Sequence, residues 1–216
     1  MSEILKNGID QRMLRKDAPA IEWKKDGRLH REDGSAIEWA DGSKQWFLNG
    51  EHHRIDGPAV ETRAFKEWWV YGKRHREDGP AVVVSTGYKE WYQNGIRHRE
   101  DGPALEYPDG RREWYRNGMQ HREYGPAVEH PDGHREWWFN NQLHREDGPA
   151  IEWENGEKHW FIHGLEFTEK EFMKRIGLEF PLEEIKEIEN ELQDLTVKQL
   201  KLVIYVANKI IESKKL

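Results

Sequence analysis

The chain has 216 residues, a net charge of −7 and 35% charged residues, yet it contains 11 Trp, 7 Tyr and 7 Phe. Large rings bury much area each, so we expect a folded protein with a thin, ring-rich core. Acids and bases alternate without a basic block, which argues against nucleic acid as a partner. The chain has no cysteine, which excludes a disulfide framework and a thiolate zinc site. We find neither a signal peptide nor a membrane-spanning run, and expect a soluble cytoplasmic protein without a membrane partner.

The first element along the chain is a seven-residue segment that occurs once in degenerate form, at Leu14–Ala20, and then six more times. This segment, H-R-x-D/Y-G-P/S-A, is here called the connector. It starts at His30, His53, His75, His98, His121 and His144. The intervals of 23, 22, 23, 23 and 23 residues are typical of repeat proteins, in which each unit packs on its neighbours. Residues shared by all repeats should therefore hold the array together, and an active site would lie where the repeats differ.

Each connector is followed by two strand-like runs around one turn and then by a second turn. In one repeat the runs are about 104–107 and 111–116, around P-D-G, and the second turn is N-G. A three-residue loop places Glu106 opposite Arg112, which are oppositely charged. The same register, with a two-residue loop in the 22-residue repeat, predicts the pairs Glu38–Lys44, Glu61–Lys66, Glu129–Arg135 and Glu152–Lys158.

The two faces of this predicted sheet both carry rings. Alternation along a strand places the connector Ala and a Trp opposite each other on one face, and an aliphatic residue and a second ring on the other. We expect the aliphatic face to be the core, whereas an exposed row of rings flanked by Arg and Glu would be an interaction surface. The candidate binding residues are the second rings: Phe47, Trp69, Tyr92, Tyr115, Trp138 and Phe161. The expected structural ladder includes His75, Asp78, His98, Asp101, Trp91, Trp114 and Trp137.

The sequence gives little support for catalysis or metal binding. Connector histidines one repeat apart should lie about 10 Å from one another, which is too far for one ion. His130 and His134 should face each other beside P-D-G, but no third ligand accompanies them. No nucleophile, phosphate-binding or zinc-binding motif occurs. We therefore expect a protein that is not an enzyme, with no metal and no cofactor.

The motif N-G-x-x-H…P-D-G-x-x-E-W-Y resembles MORN repeats over residues 14–164, most clearly in Asn94–Gly118 and Asn117–Asn141. It is most similar to the H-R-E-D-G-P-A variety found in uncharacterised phage and large-virus proteins. Glu113-Trp114-Tyr115 stands where the family has Y-x-G-x-W, which departs from the usual pattern. The resemblance implies an elongated, twisted antiparallel sheet of stacked hairpins with a binding or scaffolding role and no reaction.

The pattern changes to a helical one after residue 164. Thr168 and Glu171 form a capping box that predicts a short helix to about Ile176. Apolar residues at helical spacing predict further helices within 181–213. The predicted fold is thus mainly β with C-terminal α, an array over 1–164 capped by two or three helices in 165–216. The helices serve as a cap, or as a docking or homodimerisation segment through 181–213.

Three classes of function fit these features. The first is a non-enzymatic protein–protein interaction scaffold, in its specific form a virus-encoded inhibitor that docks on a host defence protein in the host cytoplasm. The second is a carbohydrate- or nucleotide-binding module that uses the rings as platforms. The third is a self-assembling structural protein.

Overall fold

The computed structural model describes residues 20–177, which are mainly β. Fourteen strands form one antiparallel sheet, here called the large sheet, and they follow one another across it in chain order. These strands are Ala20–Glu22, Ile37–Trp39, Lys44–Gln45, Val60–Glu61, Phe65–Glu67, Val82–Val84, Lys89–Glu90, Leu105–Glu106, Arg112–Glu113, Val128–Glu129, Arg135–Glu136, Ile151–Glu152, Lys158–Ile162 and Leu165–Phe167. The predicted sheet of hairpin repeats is therefore confirmed.

Between successive pairs of these strands lie two-stranded units, here called the small hairpins. They are Lys24–Lys25 with Arg28–Leu29, Phe47–Leu48 with Glu51–His52, Trp69–Val70 with Lys73–Arg74, Tyr92–Gln93 with Ile96–Arg97, Tyr115–Arg116 with Met119–Gln120, and Trp138–Phe139 with Gln142–Leu143. Their two turn residues both adopt positive φ, for example Asn94 at 52° and Gly95 at 84°. Asn and Gly tolerate this conformation, and the resulting turn matches the twist of a hairpin.

The loops of the large sheet confirm the predicted register. Tyr107 N–H donates to the Arg111 carbonyl at 3.0 Å, and Gly110 occupies the left-handed position at φ 95°. All five predicted charge pairs face each other across the sheet, including Glu106 with Arg112. In the 22-residue repeat, Thr62 N–H donates to the Phe65 carbonyl at 3.0 Å, which closes the expected two-residue loop.

The second run divides at the Trp in every hairpin of the large sheet except the last, where Lys158–Ile162 is one strand that contains Trp160. Trp114 N–H donates to the Ala127 carbonyl of the next repeat at 2.8 Å, and its own carbonyl accepts from His121 N–H at 3.1 Å. We predicted that Trp114 faces Ala104 of its own hairpin, but its backbone N–H bonds to Ala127 of the next repeat instead. The Trp at each division links one repeat to the next, and the chain leaves the large sheet there to form a small hairpin.

The core lies on the face that carries the aliphatic residues, as predicted. Val82, Leu105 and Val128 are almost completely buried there. The opposite face is also covered, since six alanines, one per repeat, are fully buried: Ala36, Ala59, Ala81, Ala104, Ala127 and Ala150. The short strands therefore bury side chains on both faces of the sheet, and this burial stabilises a chain that has few apolar residues.

The described residues up to 166 belong to one compact unit, and those from 167 to 177 belong to a second. Its described part contains the helix Glu169–Arg175, and Thr168 is the N-cap of this helix. The Thr168 side chain accepts from Glu171 N–H at 3.3 Å and Glu171 Oε2 accepts from Thr168 N–H at 2.9 Å, so the predicted capping box is confirmed. The helices predicted within 181–213 lie outside the described residues. Over residues 20–177 no helix has the length and apolar character needed to cross a membrane.

Candidate functional site

The connector arginines join neighbouring repeats through several bonds at once. Arg99 stacks its guanidinium on Trp91, with 4.1 Å from Cζ to the ring centroid. Its Nε donates to Asp101 at 2.8 Å and its Nη1 to the Pro103 carbonyl at 3.2 Å. The other connector arginines stack on Trp at 3.9–4.1 Å in the same way: Arg31 on Trp23, Arg54 on Trp46, Arg76 on Trp68, Arg122 on Trp114 and Arg145 on Trp137. Only a planar fork with several donors can make all of these contacts.

The connector histidines act on the small hairpin of the following repeat. His98 Nδ1 accepts from Asn117 N–H at 3.1 Å, and His75 Nδ1 accepts from Asn94 N–H at 3.1 Å. These N–H groups belong to turn residues with positive φ. The expected structural ladder of connector and Trp residues therefore lies in the contacts between repeats.

The candidate binding rings lie in a stack rather than on an open surface. Arg74 lies between Trp69 and Tyr92, with centroid distances of 5.1 and 5.4 Å, and Arg97 lies between Tyr92 and Tyr115, at 5.9 and 5.5 Å. Of the six second rings, Phe47 and Tyr92 are buried and the other four are half-buried. These rings therefore lie on the core face and are partly or fully covered, because the small hairpins bring cationic side chains over them.

A row of buried acids runs beside this stack, and the sequence analysis missed it. In the large sheet, the residue before each Trp lies opposite an aliphatic residue on each neighbouring strand. Leu105, for example, faces both Glu90 and Glu113. Glu90 has 0% exposure and Glu67 and Glu113 are also buried. The repeated Glu-Trp pair could have predicted this row. Neighbouring residues of a strand point to opposite faces, so a Glu next to a Trp on the connector face must point to the aliphatic face.

The buried carboxylates are held by neighbouring rings and guanidinium groups. Glu90 Oε1 accepts from Tyr88 Oη at 2.5 Å and from Arg97 Nη2 at 2.9 Å, while Arg74 Nη1 lies 3.7 Å from Glu90 Oε2. Arg74 Nη2 also donates to Glu67 Oε1 at 2.7 Å and so bridges two repeats. Charged hydrogen bonds of this kind offset the cost of removing a carboxylate from water.

These surroundings change several pKa values. Burial, followed by the nearby Glu90 carboxylate, raises the pKa of Tyr88 well above its usual value. Burial and then Glu113 raise the pKa of Tyr115 to about 12. Burial lowers the pKa of His52, which lies between the rings of Phe47 and Trp69, to about 4. Tyr88 and Tyr115 therefore stay protonated to higher pH, and His52 stays uncharged to lower pH, than the free side chains would.

His130 and His134 face each other as predicted. Their ring centroids lie 4.8 Å apart with an interplanar angle of 7°, and His134 packs on Trp153 at 3.8 Å. Within residues 20–177 no group of three or more His, Asp or Glu side chains converges as a metal site would require. In this part of the chain the pair belongs to a row of stacked rings.

Two grooves lie between neighbouring connectors at corresponding positions of different repeats. The first groove is bounded by Glu32, Asp33 and Ile55, lies over Trp46 and has a volume of about 880 Å³. The second groove is bounded by Glu100, Asp101 and Tyr124, lies over Trp114 and has a volume of about 570 Å³.

Each groove contains a residue at which its connector departs from H-R-E-D-G. Ile55 replaces the connector Glu and is 81% exposed, and Tyr124 replaces the connector Asp and is 85% exposed. Arg122 therefore has no aspartate two residues later, and its Nη1 donates to the Pro126 carbonyl at 2.9 Å and to Glu129 at 2.7 Å. These two grooves are therefore places where the exposed surface differs between repeats.

Comparison with known proteins adds no assignment. A scan against protein-family models and a search of curated proteins each found no match. The geometry of the connectors and grooves is therefore the basis for a functional proposal.

Proposed function

We propose that this chain is a non-enzymatic scaffold that binds another protein through the row of connectors. The observation that carries the proposal is the separation of roles within that row. The repeated cations and rings are used in contacts between repeats, whereas the connector carboxylates extend into solvent. The side chains of nine connector acids, among them Glu100 and Asp101, are 75–87% exposed, whereas those of the connector arginines are 20–29% exposed.

The arrangement of potential catalytic groups supports binding over catalysis. The carboxylates of Glu67 and Glu90 are engaged by Arg74, Arg97 and Tyr88 inside the core. A general acid or base must instead reach a substrate within hydrogen-bond distance. The two described grooves are open and contain acids that already accept from connector arginines, as Asp33 does from Arg31 and Asp101 from Arg99.

The resemblance to repeats of phage and large-virus proteins makes the proposal more specific. In this form the chain is a virus-encoded inhibitor that docks on a host defence protein in the host cytoplasm. A broad surface of repeated elements suits this role, because it can cover a partner without a deep pocket.

Direct binding to a purified protein tests the proposal. The tagged full-length chain is used to capture proteins from the native host, and each candidate is then purified and titrated calorimetrically. We expect one protein to bind with a defined stoichiometry and cross-links to map to the connectors. Failure of every purified candidate to bind directly contradicts the scaffold role. Light scattering at two concentrations distinguishes it from a self-assembling structural protein, for which the mass would rise with concentration.

A further inference from the structure

We propose that the two grooves act together as a bivalent site for a basic segment of a protein partner, with an apolar side chain between cationic ones. This inference rests on the proposed function and specifies the chemistry of the partner. The starting point is the pair of connectors that depart from H-R-E-D-G, at Ile55 and Tyr124. Each presents a large apolar or aromatic side chain, Ile55 or Tyr124, to solvent beside a groove.

Exposed carboxylates outnumber exposed cations at each groove, because the connector arginines are half-buried. The first groove has Glu32, Asp33 and Asp56 against Lys25, and the second has Glu100, Asp101 and Glu123 against Arg116. At the second groove the Arg99 guanidinium lies over the Trp91 ring and donates to Asp101, and its side chain is only 21% exposed. The Glu100 side chain is 76% exposed, with His98 Nε2 at 3.7 Å. The first groove repeats this arrangement with Arg31, Asp33 and Glu32. A cationic partner group therefore finds accessible carboxylates, whereas an anionic group would be repelled by them.

The apolar residues give each groove a second point of contact. Ile55 lies beside Glu32 and Asp33 in the first groove, and Tyr124 lies beside Glu100 and Asp101 in the second. A segment that places an aliphatic side chain on Ile55 or Tyr124 brings its flanking cations to the carboxylates. Exposed aromatic and aliphatic residues next to charge are typical anchors of protein interfaces.

The spacing of the grooves makes joint binding feasible. The connectors that contain Ile55 and Tyr124 are three repeats apart. With two strands per repeat at a spacing of about 4.8 Å, the two grooves lie about 29 Å apart along the large sheet. Two linked segments gain affinity only when the linker spans the distance between their sites. A glycine–serine linker of about 27 residues has a root-mean-square length of about 29 Å.

Fluorescein-labelled peptides test the inference by anisotropy with the full-length chain. The monovalent probe contains one arginine–leucine–arginine segment, and the bivalent probe contains two, joined by the 27-residue linker. We expect the bivalent probe to bind at least about tenfold more tightly than the monovalent one. Binding should weaken with added salt, and a bivalent glutamate–leucine–glutamate peptide should not bind.

Variants that restore the repeated sequence are the matched test. Ile55→Glu and Tyr124→Asp each convert a connector to H-R-E-D-G-P-A, and each should abolish the bivalent gain although it adds a negative charge. Glu77→Ala, in a connector outside both grooves, should keep it. Three results would overturn the inference: no binding of the bivalent probe at 1 mM (about the weakest affinity worth measuring), equal binding of both probes, or a gain that survives restoration. A purified protein partner that binds the restored variants unchanged would remove the inference and leave the scaffold role intact.

Discussion

The two faces of the large sheet are built under different constraints. On the connector face every described repeat uses the same set, an Arg stacked on a Trp above a fully buried Ala. On the core face the corresponding positions vary, so that Gln45 pairs with His52 in one repeat and Glu90 pairs with Arg97 in another. Only Arg can both stack on a Trp ring and donate several hydrogen bonds, so the connector position keeps one residue type. A buried polar pair needs only one donor and one acceptor, so several residue pairs can fill the core position.

The largest expected effect comes from breaking a pair on the core face. Glu90→Ala removes a fully buried carboxylate and leaves Arg97 without a carboxylate partner and Arg74 with Glu67 alone, which should lower the free energy of unfolding by about 3–5 kcal/mol. Glu106→Ala is the control, because its ion pairs with Lys89 and Arg99 are partly exposed and should each contribute about 1 kcal/mol or less. Urea unfolding followed by tryptophan fluorescence and circular dichroism measures both. Equal losses would contradict the comparison.

The second effect concerns pH and the uncharged His52. Its folded pKa of about 4 lies below the unfolded value of about 6.5, so the unfolded chain binds a proton first as the pH falls. Stability from this group is complete above pH 6.5 and is lost as the pH falls through this window, by about 2 kcal/mol between pH 7 and 5. His52→Phe keeps a ring between Phe47 and Trp69 and should flatten that part of the profile. A variant profile parallel to the wild type would refute the assignment.

On the connector face we expect a smaller loss of unfolding free energy when an arginine is replaced by a lysine, which keeps the charge but changes the geometry. Arg99→Lys loses the fork that donates to Asp101 and Pro103, and its stacking on Trp91 becomes weaker, which should cost about 1–2 kcal/mol. Arg112→Lys, at an exposed site in the same sheet, should change the unfolding free energy by less than about 0.5 kcal/mol. Indistinguishable urea midpoints for the two variants would show that the fork is unimportant.

The smallest effect is a gain in stability. Tyr71 has φ 46° at a turn position where Asn49, Asn94 and Asn117 occur in other repeats. Asn tolerates this conformation better than a bulky residue, so Tyr71→Asn should raise the unfolding free energy by about 0.5–1 kcal/mol. The loss of its ring contact with His53, at 4.2 Å, works against the gain. Asn94→Tyr should show the opposite sign in thermal denaturation, and a gain in both variants would contradict the argument.

Local signals predicted the register and the caps well. The P-D-G loop, the charge pairs such as Glu106 with Arg112, and the Thr168 capping box are determined within a few residues of sequence. The division of the run 111–116 at Trp114 was not predictable in this way. It depends on the hydrogen bond from Trp114 to Ala127 in the next repeat, which no pattern within one repeat reveals.

The candidate site was predicted less well, because burial depends on what covers a face. The second rings were correctly assigned to the face of the aliphatic residues, but the cationic side chains that cover them come from the small hairpins. The buried Glu90 row required the same knowledge. By contrast, the principle that recognition lies where repeats differ directs attention to Ile55 and Tyr124, although the sequence alone does not show that both flank grooves.

The central claim is that shared residues hold the repeats together while the departures recognise a partner. The most direct measurement is the dissociation constant of a purified protein partner for the double variant Ile55→Glu/Tyr124→Asp. We expect binding to weaken at least about tenfold, which is a loss of about 1.4 kcal/mol, with an unchanged urea midpoint. An unchanged dissociation constant in a folded double variant would contradict the claim.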